Sequence, residues 1–253
     1  MSCAVVFVCN FRYLDKFIST CSNLIEIGDY RGPIVLVVGD DLPTVDSHPF
    51  ILEHAHQIQV RHCPDITFSP NVYAEIQKTN LACGKSGFKL FQYHKFHIFT
   101  PFFKQWDYVF YVDCGAKVYA PIAPILASRR PGKMLAHSDA YPAYEWTLKD
   151  QFMEKPQLKK DLETWWNLCA DYFQSTIMLF DTNLIHNTTF DRLVTLASKY
   201  TNSRTNDQGI LNLYFSNTWE QIPLGDDDTY YYDFNIRYQD KPYIMTKYVV
   251  FND

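Results

Sequence analysis

The sequence lacks a Cys-x-x-Cys pair, a block of lysine and arginine, an apolar run of membrane-spanning length, and any linker or low-complexity tract. Its 7 cysteines are odd in number and scattered from Cys3 to Cys169. That pattern argues against a zinc site or disulfide framework and reads as reduced thiols in a cytoplasmic-type compartment. With a net charge of −5 and no basic block, the chain is not expected to bind nucleic acid. The apolar run Ala4–Cys9 is short and has no basic lead-in, so neither a signal segment nor a membrane span is expected. Asn187-Thr188-Thr189 matches a glycosylation acceptor in form only, since no secretory signal accompanies it. No repeat or linker divides residues 1–253, which predicts a single domain.

What remains is an enzyme-sized, aromatic-rich chain, 47% hydrophobic and 17% aromatic, with 18 Tyr and 19 Phe. The surplus rings either line a cleft, where flat amphipathic surfaces suit nucleobases and sugars, or pack in the core with tyrosine edges in water. Strand and helix patterns alternate. Ala4–Cys9 reads as a buried strand, followed by a helix over 13–27 with Leu14, Phe17, Ile18, Cys21, Leu24 and Ile25 on one face and Gly28 at its end. Pro33–Val38 is a second strand, stopping at Gly39-Asp40-Asp41, and Ile58–Val60 a weaker third. Strands joined by a helix of this length form right-handed parallel units, so the predicted fold class is α/β, with a mostly parallel central sheet flanked by helices. Phe88–Phe103 patterns as a helix that Pro101 kinks or shortens. Tyr108–Val112, Lys133–Ala136 and Thr176–Phe180 read as strands, and Phe190–Tyr200 and Gly209–Phe215 as helices. Leu224–Tyr243, with its Tyr230-Tyr231-Tyr232 triplet, reads as an ordered loop.

The richest segment is the apolar run Tyr108–Val112, which ends abruptly on Asp113. Such a strand belongs inside a sheet covered on both faces, where a charge is costly, so a carboxylate at its end faces either the ligand crevice or the following turn, which it would cap.

A series of short motifs surrounds this strand: Cys9-Asn10-Phe11-Arg12-Tyr13 after the first strand, His94-Lys95-Phe96 ahead of it, Tyr111-Val112-Asp113-Cys114-Gly115 with Val118–Ile122 behind, Phe173-Gln174-Ser175-Thr176, and Asp207-Gln208-Gly209-Ile210-Leu211-Asn212. In order and spacing they resemble the GT-A-type nucleotide-sugar glycosyltransferases, in particular the glycogenin-like group of retaining transferases. The resemblance implies one GT-A (Rossmann-like) domain, with residues 1–125 as the nucleotide-binding half and 126–253 as the acceptor-side half. It implies transfer of a sugar from a UDP-sugar to a hydroxyl of a glycan or protein acceptor, with Mn²⁺ or Mg²⁺ held by Asp113. Asn10 would bind the nucleotide and Tyr13 stack on its base, while Lys95 would reach a phosphate or the donor sugar. Cys114, Gly115 and Ser175 would line the donor, with Asp207 and Gln208 across the sugar at the reacting centre.

Two departures stand out. Gly115 replaces the second Asp of the family's Asp-x-Asp, and the C-terminal His-x-x-Gly-x-x-Lys motif is missing from Thr246-Lys247-Tyr248-Val249-Val250-Phe251. A diphosphate-bridging cation needs only one or two protein carboxylates, so Asp113 alone remains a sufficient ligand on this expectation. Asp139 is a spare carboxylate, or else simply starts the Tyr141-Pro142 turn. Asp207 reads equally as an N-cap of the following helix, and Lys95 as a lysine whose stem lies along a helix while its charge reaches water. The chemistry favours the catalytic roles, because charge builds on the departing diphosphate as the sugar becomes oxocarbenium-like. A nucleotidyltransferase is the alternative enzyme, weakened by the lack of a Gly-rich loop after the first strand. A non-catalytic sugar-nucleotide or glycan-binding protein is the alternative outside enzymes.

Overall fold

A computed structural model describes residues 1–85 and 89–247. Phe88, and the segment 248–251 that closes the altered C-terminal motif, lie outside the described residues. The central sheet has 7 strands in the order β3-β2-β1-β4-β7-β6-β8. These are β1 (Cys3–Cys9), β2 (Ile34–Val38), β3 (Ile58–His62), β4 (Tyr108–Val112), β6 (Met134–Ser138), β7 (Phe173–Asp181) and β8 (Trp219–Gln221). A second sheet of 3 strands sets β10 (Tyr243–Thr246) between β5 (Lys117–Val118) and β9 (Tyr230–Asp233).

Strands β3, β2, β1 and β4 run parallel, β7 is antiparallel to both β4 and β6, and β8 is again parallel to β6. The parallel strands are continuous apolar runs because both faces of the sheet are covered. The α-helices are α1 (Leu14–Glu26), α2 (Pro49–Glu53), α3 (Pro70–Ala82), α4 (Ala123–Ala127), α5 (Pro156–Trp165), α6 (Thr189–Lys199) and α7 (Asp207–Phe215). Alternate residues of the strands feed two separate cores. Val6, Val37, Val109, Tyr111 and Phe180 join one, with the helical segments Lys89–Phe99, α6 (Thr189–Lys199) and α7 (Asp207–Phe215); Val5, Leu36, Phe110, Val112 and Leu179 join the other, with α1 (Leu14–Glu26) and the small sheet.

The structure adds helices at Pro70–Ala82 and Pro156–Trp165 that the sequence pattern did not mark, and it differs from that pattern at two further places. Lys89–Phe99 is a 3₁₀ segment, not an α-helix, and a second 3₁₀ segment restarts at Pro101 after the extended Thr100. Proline cannot donate the backbone bond that would continue a helix. The expected loop 224–243 instead contains β9, which pairs in parallel with β10. Short strands of this kind carry too few residues to show a period.

Because β7 runs against its neighbours, its beginning lies at the same edge as the carboxyl ends of β1 and β4. The Asp113 N–H donates to the Thr176 carbonyl across this edge at 2.8 Å. Asn10, Asp113 and the Gln174-Ser175-Thr176 stretch are therefore gathered on one rim, the usual ligand side of an open α/β sheet. Phe180 packs near the end of β7 with its ring 4.9 Å from Phe99 and no exposed surface. Phe180→Ala should lower unfolding free energy by about 3–5 kcal/mol. Urea denaturation measures this, and a loss under about 1 kcal/mol would contradict a tightly packed two-faced sheet.

Candidate active site

At the carboxyl end of β4 the Asp113 side chain retains 27% exposure. It does not cap the next turn, which is closed by the Ala116 N–H donating to the Asp113 carbonyl. Oδ1 instead accepts from the Tyr111 hydroxyl and lies 3.6 Å from Lys95 Nζ, while Oδ2 lies 3.4 Å from Lys247 Nζ. Burial pushes this carboxyl's pKa up, but the two ammonium groups and Tyr111 outweigh it and hold the pKa below the ordinary carboxylate value.

Lys95 is nearly buried, so its ammonium does not reach out to water. It turns inward, 2.7 Å from Asp207 Oδ2, donating to the Ser175 carbonyl at 2.9 Å and the Ser175 Oγ at 3.0 Å. Desolvation works to lower its pKa, and Asp207 with Asp113 overcomes this and leaves it raised. Asp207 opens α7 without capping it, since Asn206 stands at the N-cap with φ 53°. The Asp207 carboxylate accepts from Ser175 Oγ at 2.9 Å.

Gln208, the next residue, is fully engaged. Its Oε1 accepts from the Ser175 N–H at 3.1 Å, and its two amide protons go to Asp139 Oδ2 and Gln151 Oε1, each at 3.1 Å. Asp139 also accepts from Gln174 at 2.6 Å. It orients amides and does not pair with Asp113.

The Asp113–Ala116 turn is built around Gly115, whose φ of +90° is in the region that favours glycine. Its N–H donates to Thr20 Oγ1 at 2.9 Å. The buried Cys114 thiol donates to the Val8 carbonyl at 3.3 Å, and the Cys114 carbonyl accepts from Lys247 at 2.8 Å. Lys247 arrives here because β10 pairs with β5 immediately after the turn, Thr246 opposite Lys117.

The structure thus brings Lys95, Asp113, Cys114, Gly115, Ser175, Asp207 and Gln208 together. Asn10 and Tyr13 follow β1 on the same rim without joining these contacts. The buried Asn10 Oδ1 has no partner among the described residues, and Tyr13 is 45% exposed with Lys16 Nζ 4.9 Å from its ring centroid. Sequence reasoning missed Tyr111 and Lys247. Tyr111 was detectable as the i−2 neighbour of Asp113 on one strand face; Lys247 depends on β10, which carries no clear signal. Tyr232 of β9 reaches Thr176 Oγ1 at 2.8 Å, so the tyrosine-rich segment borders the site. A groove of about 580 Å³ lined by Phe152, Trp166 and Arg204 includes none of the clustered residues.

The expected metal ligand Asp113 stands beside two ammonium groups. Among the described residues no group of three or more His, Cys, Asp and Glu side chains could hold an ion, and both Asp113 oxygens already face ammonium groups.

No known family profile and no curated protein matches the sequence. Solved structures do. The bifunctional glycosyltransferase WbbM aligns with a TM-score of 0.56 at 16% identity, over 98% of this chain and 45% of its own. An active-site mutant of LgtC aligns at 0.63 and 12% identity, over 97% of this chain and 86% of its own. Core-mannan synthase A from Aspergillus fumigatus aligns at 0.51 and 12% identity, over 87% of this chain and 72% of its own. The chain has the GT-A glycosyltransferase fold. It spans less than half the length of WbbM. Within this GT-A fold, the clustered residues occupy the crevice at the carboxyl edge of the parallel strands.

Lys95→Met should destabilise the GT-A core by about 3–5 kcal/mol, because it leaves Asp207 buried without its counter-charge. Asp113 and Lys95 also set opposite ends of the pH profile. The depressed Asp113 pKa makes its contribution complete above the unfolded value of about 3.9 and lost as pH falls through the folded value. The raised Lys95 pKa makes its contribution complete below about 10.4 and lost as pH rises through the folded value. Urea midpoints across pH should therefore show a shallower acid limb for Asp113→Asn than for wild type; identical limbs would contradict the ion pairs.

Proposed function

We propose that this protein is a glycosyltransferase that moves a sugar from a nucleotide-diphosphate donor, a UDP-sugar, to a hydroxyl of a glycan or protein acceptor. The carrying observation is the convergence of Lys95 and Lys247 on Asp113 at the sheet's ligand edge. A departing diphosphate needs positive charge preorganised in a largely dehydrated place, and this is such a place. The fold supports transfer from a nucleotide-sugar donor in general, as do LgtC in complex with donor and acceptor sugar analogues and core-mannan synthase A in its Mn/GDP form.

In the proposed reaction the bond between the sugar's anomeric carbon and the β-phosphate oxygen breaks, its electron pair leaving with the diphosphate. The acceptor oxygen bonds to that carbon, and its proton passes to the released diphosphate. Lys95 and Lys247 stabilise the growing phosphate charge. Gln208, held by Ser175, Asp139 and Gln151, lies beside the reacting centre in this reading and lines the sugar's face. Asp207 is a positioning residue that keeps Lys95 charged and aimed. Asn10 and Tyr13 take the nucleoside, the unpartnered Asn10 Oδ1 accepting from it. Residues 1–125 then serve mainly the nucleotide and 126–253 the acceptor, with Asp207 and Lys247 reaching back across the crevice.

Release of UDP from a panel of UDP-sugars and acceptors tests the activity. Binding without turnover on any donor would favour the non-catalytic alternative. Tyr13→Ala should weaken UDP binding by about 1–3 kcal/mol, the range for a base stacked on an aromatic ring. Unchanged affinity by calorimetry would remove Tyr13 from the nucleotide site.

A further inference from the structure

Gly115 has no side chain, and the space in front of it is not empty of charge. A Cβ built there would lie 3.9 Å from Lys247 Nζ and 3.5 Å from Lys16 Cδ. Lys247 is itself fixed, donating to the Cys114 carbonyl at 2.8 Å and facing Asp113 Oδ2 at 3.4 Å, with 14% of its side chain exposed. The opposite carboxylate oxygen faces Lys95 at 3.6 Å.

A divalent cation binds oxygen ligands at roughly 2.0–2.6 Å. One resting on Asp113 would be forced against two ammonium groups that already face its oxygens, Lys95 at 3.6 Å and Lys247 at 3.4 Å. An ammonium group, in contrast, is a compact point charge well suited to phosphate oxygens. The segment beginning Thr246-Lys247 is also the one in which the metal-binding histidine of the related pattern is missing.

We infer that the Lys247 ammonium takes the place of the divalent cation, so that this protein binds its nucleotide diphosphate without metal. The inference rests on the glycosyltransferase reading above and specifies how its donor is held. Lys247 contacts the diphosphate through the N–H that Cys114 and Asp113 do not use, and Asp113 serves to orient Lys247 and Lys95 instead of ligating an ion.

Calorimetric titration of UDP and GDP into the full chain, in EDTA and then in excess Mn²⁺, tests this directly. The expected result is one nucleotide affinity, the same in both buffers within about threefold, with Lys247→Met weakening it about tenfold or more and Lys247→Arg retaining most of it. The wild-type comparison stands even where a variant folds poorly. Binding that needs Mn²⁺, or strengthens more than about tenfold with it, overturns the metal-free site but leaves the glycosyltransferase reading intact. A Lys247→Met protein that binds UDP as wild type does so too. Failure of both nucleotides to bind in either buffer would overturn the two readings together.

Discussion

The structure depends on keeping one ammonium group charged inside the sheet's edge. Lys95 sits nearly buried between Asp113, Asp207 and Ser175, and each partner comes from a different element: the end of β4, the first turn of α7 and the start of β7. Burying such a charge costs several kcal/mol before pairing is counted, and a buried ion network is a weak way to gain stability compared with packed apolar side chains. Its position on the ligand rim gives it a different meaning. The network fixes an ammonium group on the rim where a diphosphate's charge would appear, and the antiparallel β7 makes that possible by bringing a strand's beginning to the edge where parallel strands end.

Lys247 extends the same logic from the opposite direction. The small sheet formed by β5, β9 and β10 has little core of its own, and its strands are short. Its consequence is positional: β10 pairs with β5 directly after the Asp113–Ala116 turn, so the residue following β10 falls beside that turn. Thr176 and Tyr232 tie the same sheet to β7. An Asp-x-Gly turn and a lysine from the far end of the chain thereby become one constellation.

Much of this was legible in the sequence. β1, β2 and β4 are unbroken apolar runs, and Asp113 at the end of one of them pointed to the crevice or to the following turn, between which the sequence did not choose. Lys95 and Asp207 were legible as candidates, but their partnership was not, since a helix lysine and a helix-opening aspartate each have ordinary local explanations. Only the three-dimensional path of β7 brings Ser175 between them. Lys247 was invisible for a related reason: its placement is set by pairing between two-residue and four-residue strands, which leave no periodic trace. The 3₁₀ character of Lys89–Phe99 was also hidden, because its apolar spacing resembles that of an α-helix until Pro101 interrupts the bonding.

A crystal structure of the protein soaked with UDP would test the central claim most directly. The account predicts the diphosphate against the Lys247 ammonium, beside Asp113 with Lys95 behind it, and the uracil ring on Tyr13 and within reach of Asn10. A nucleotide lodged instead in the groove of Phe152, Trp166 and Arg204, or one whose phosphates point away from Lys247, would contradict it.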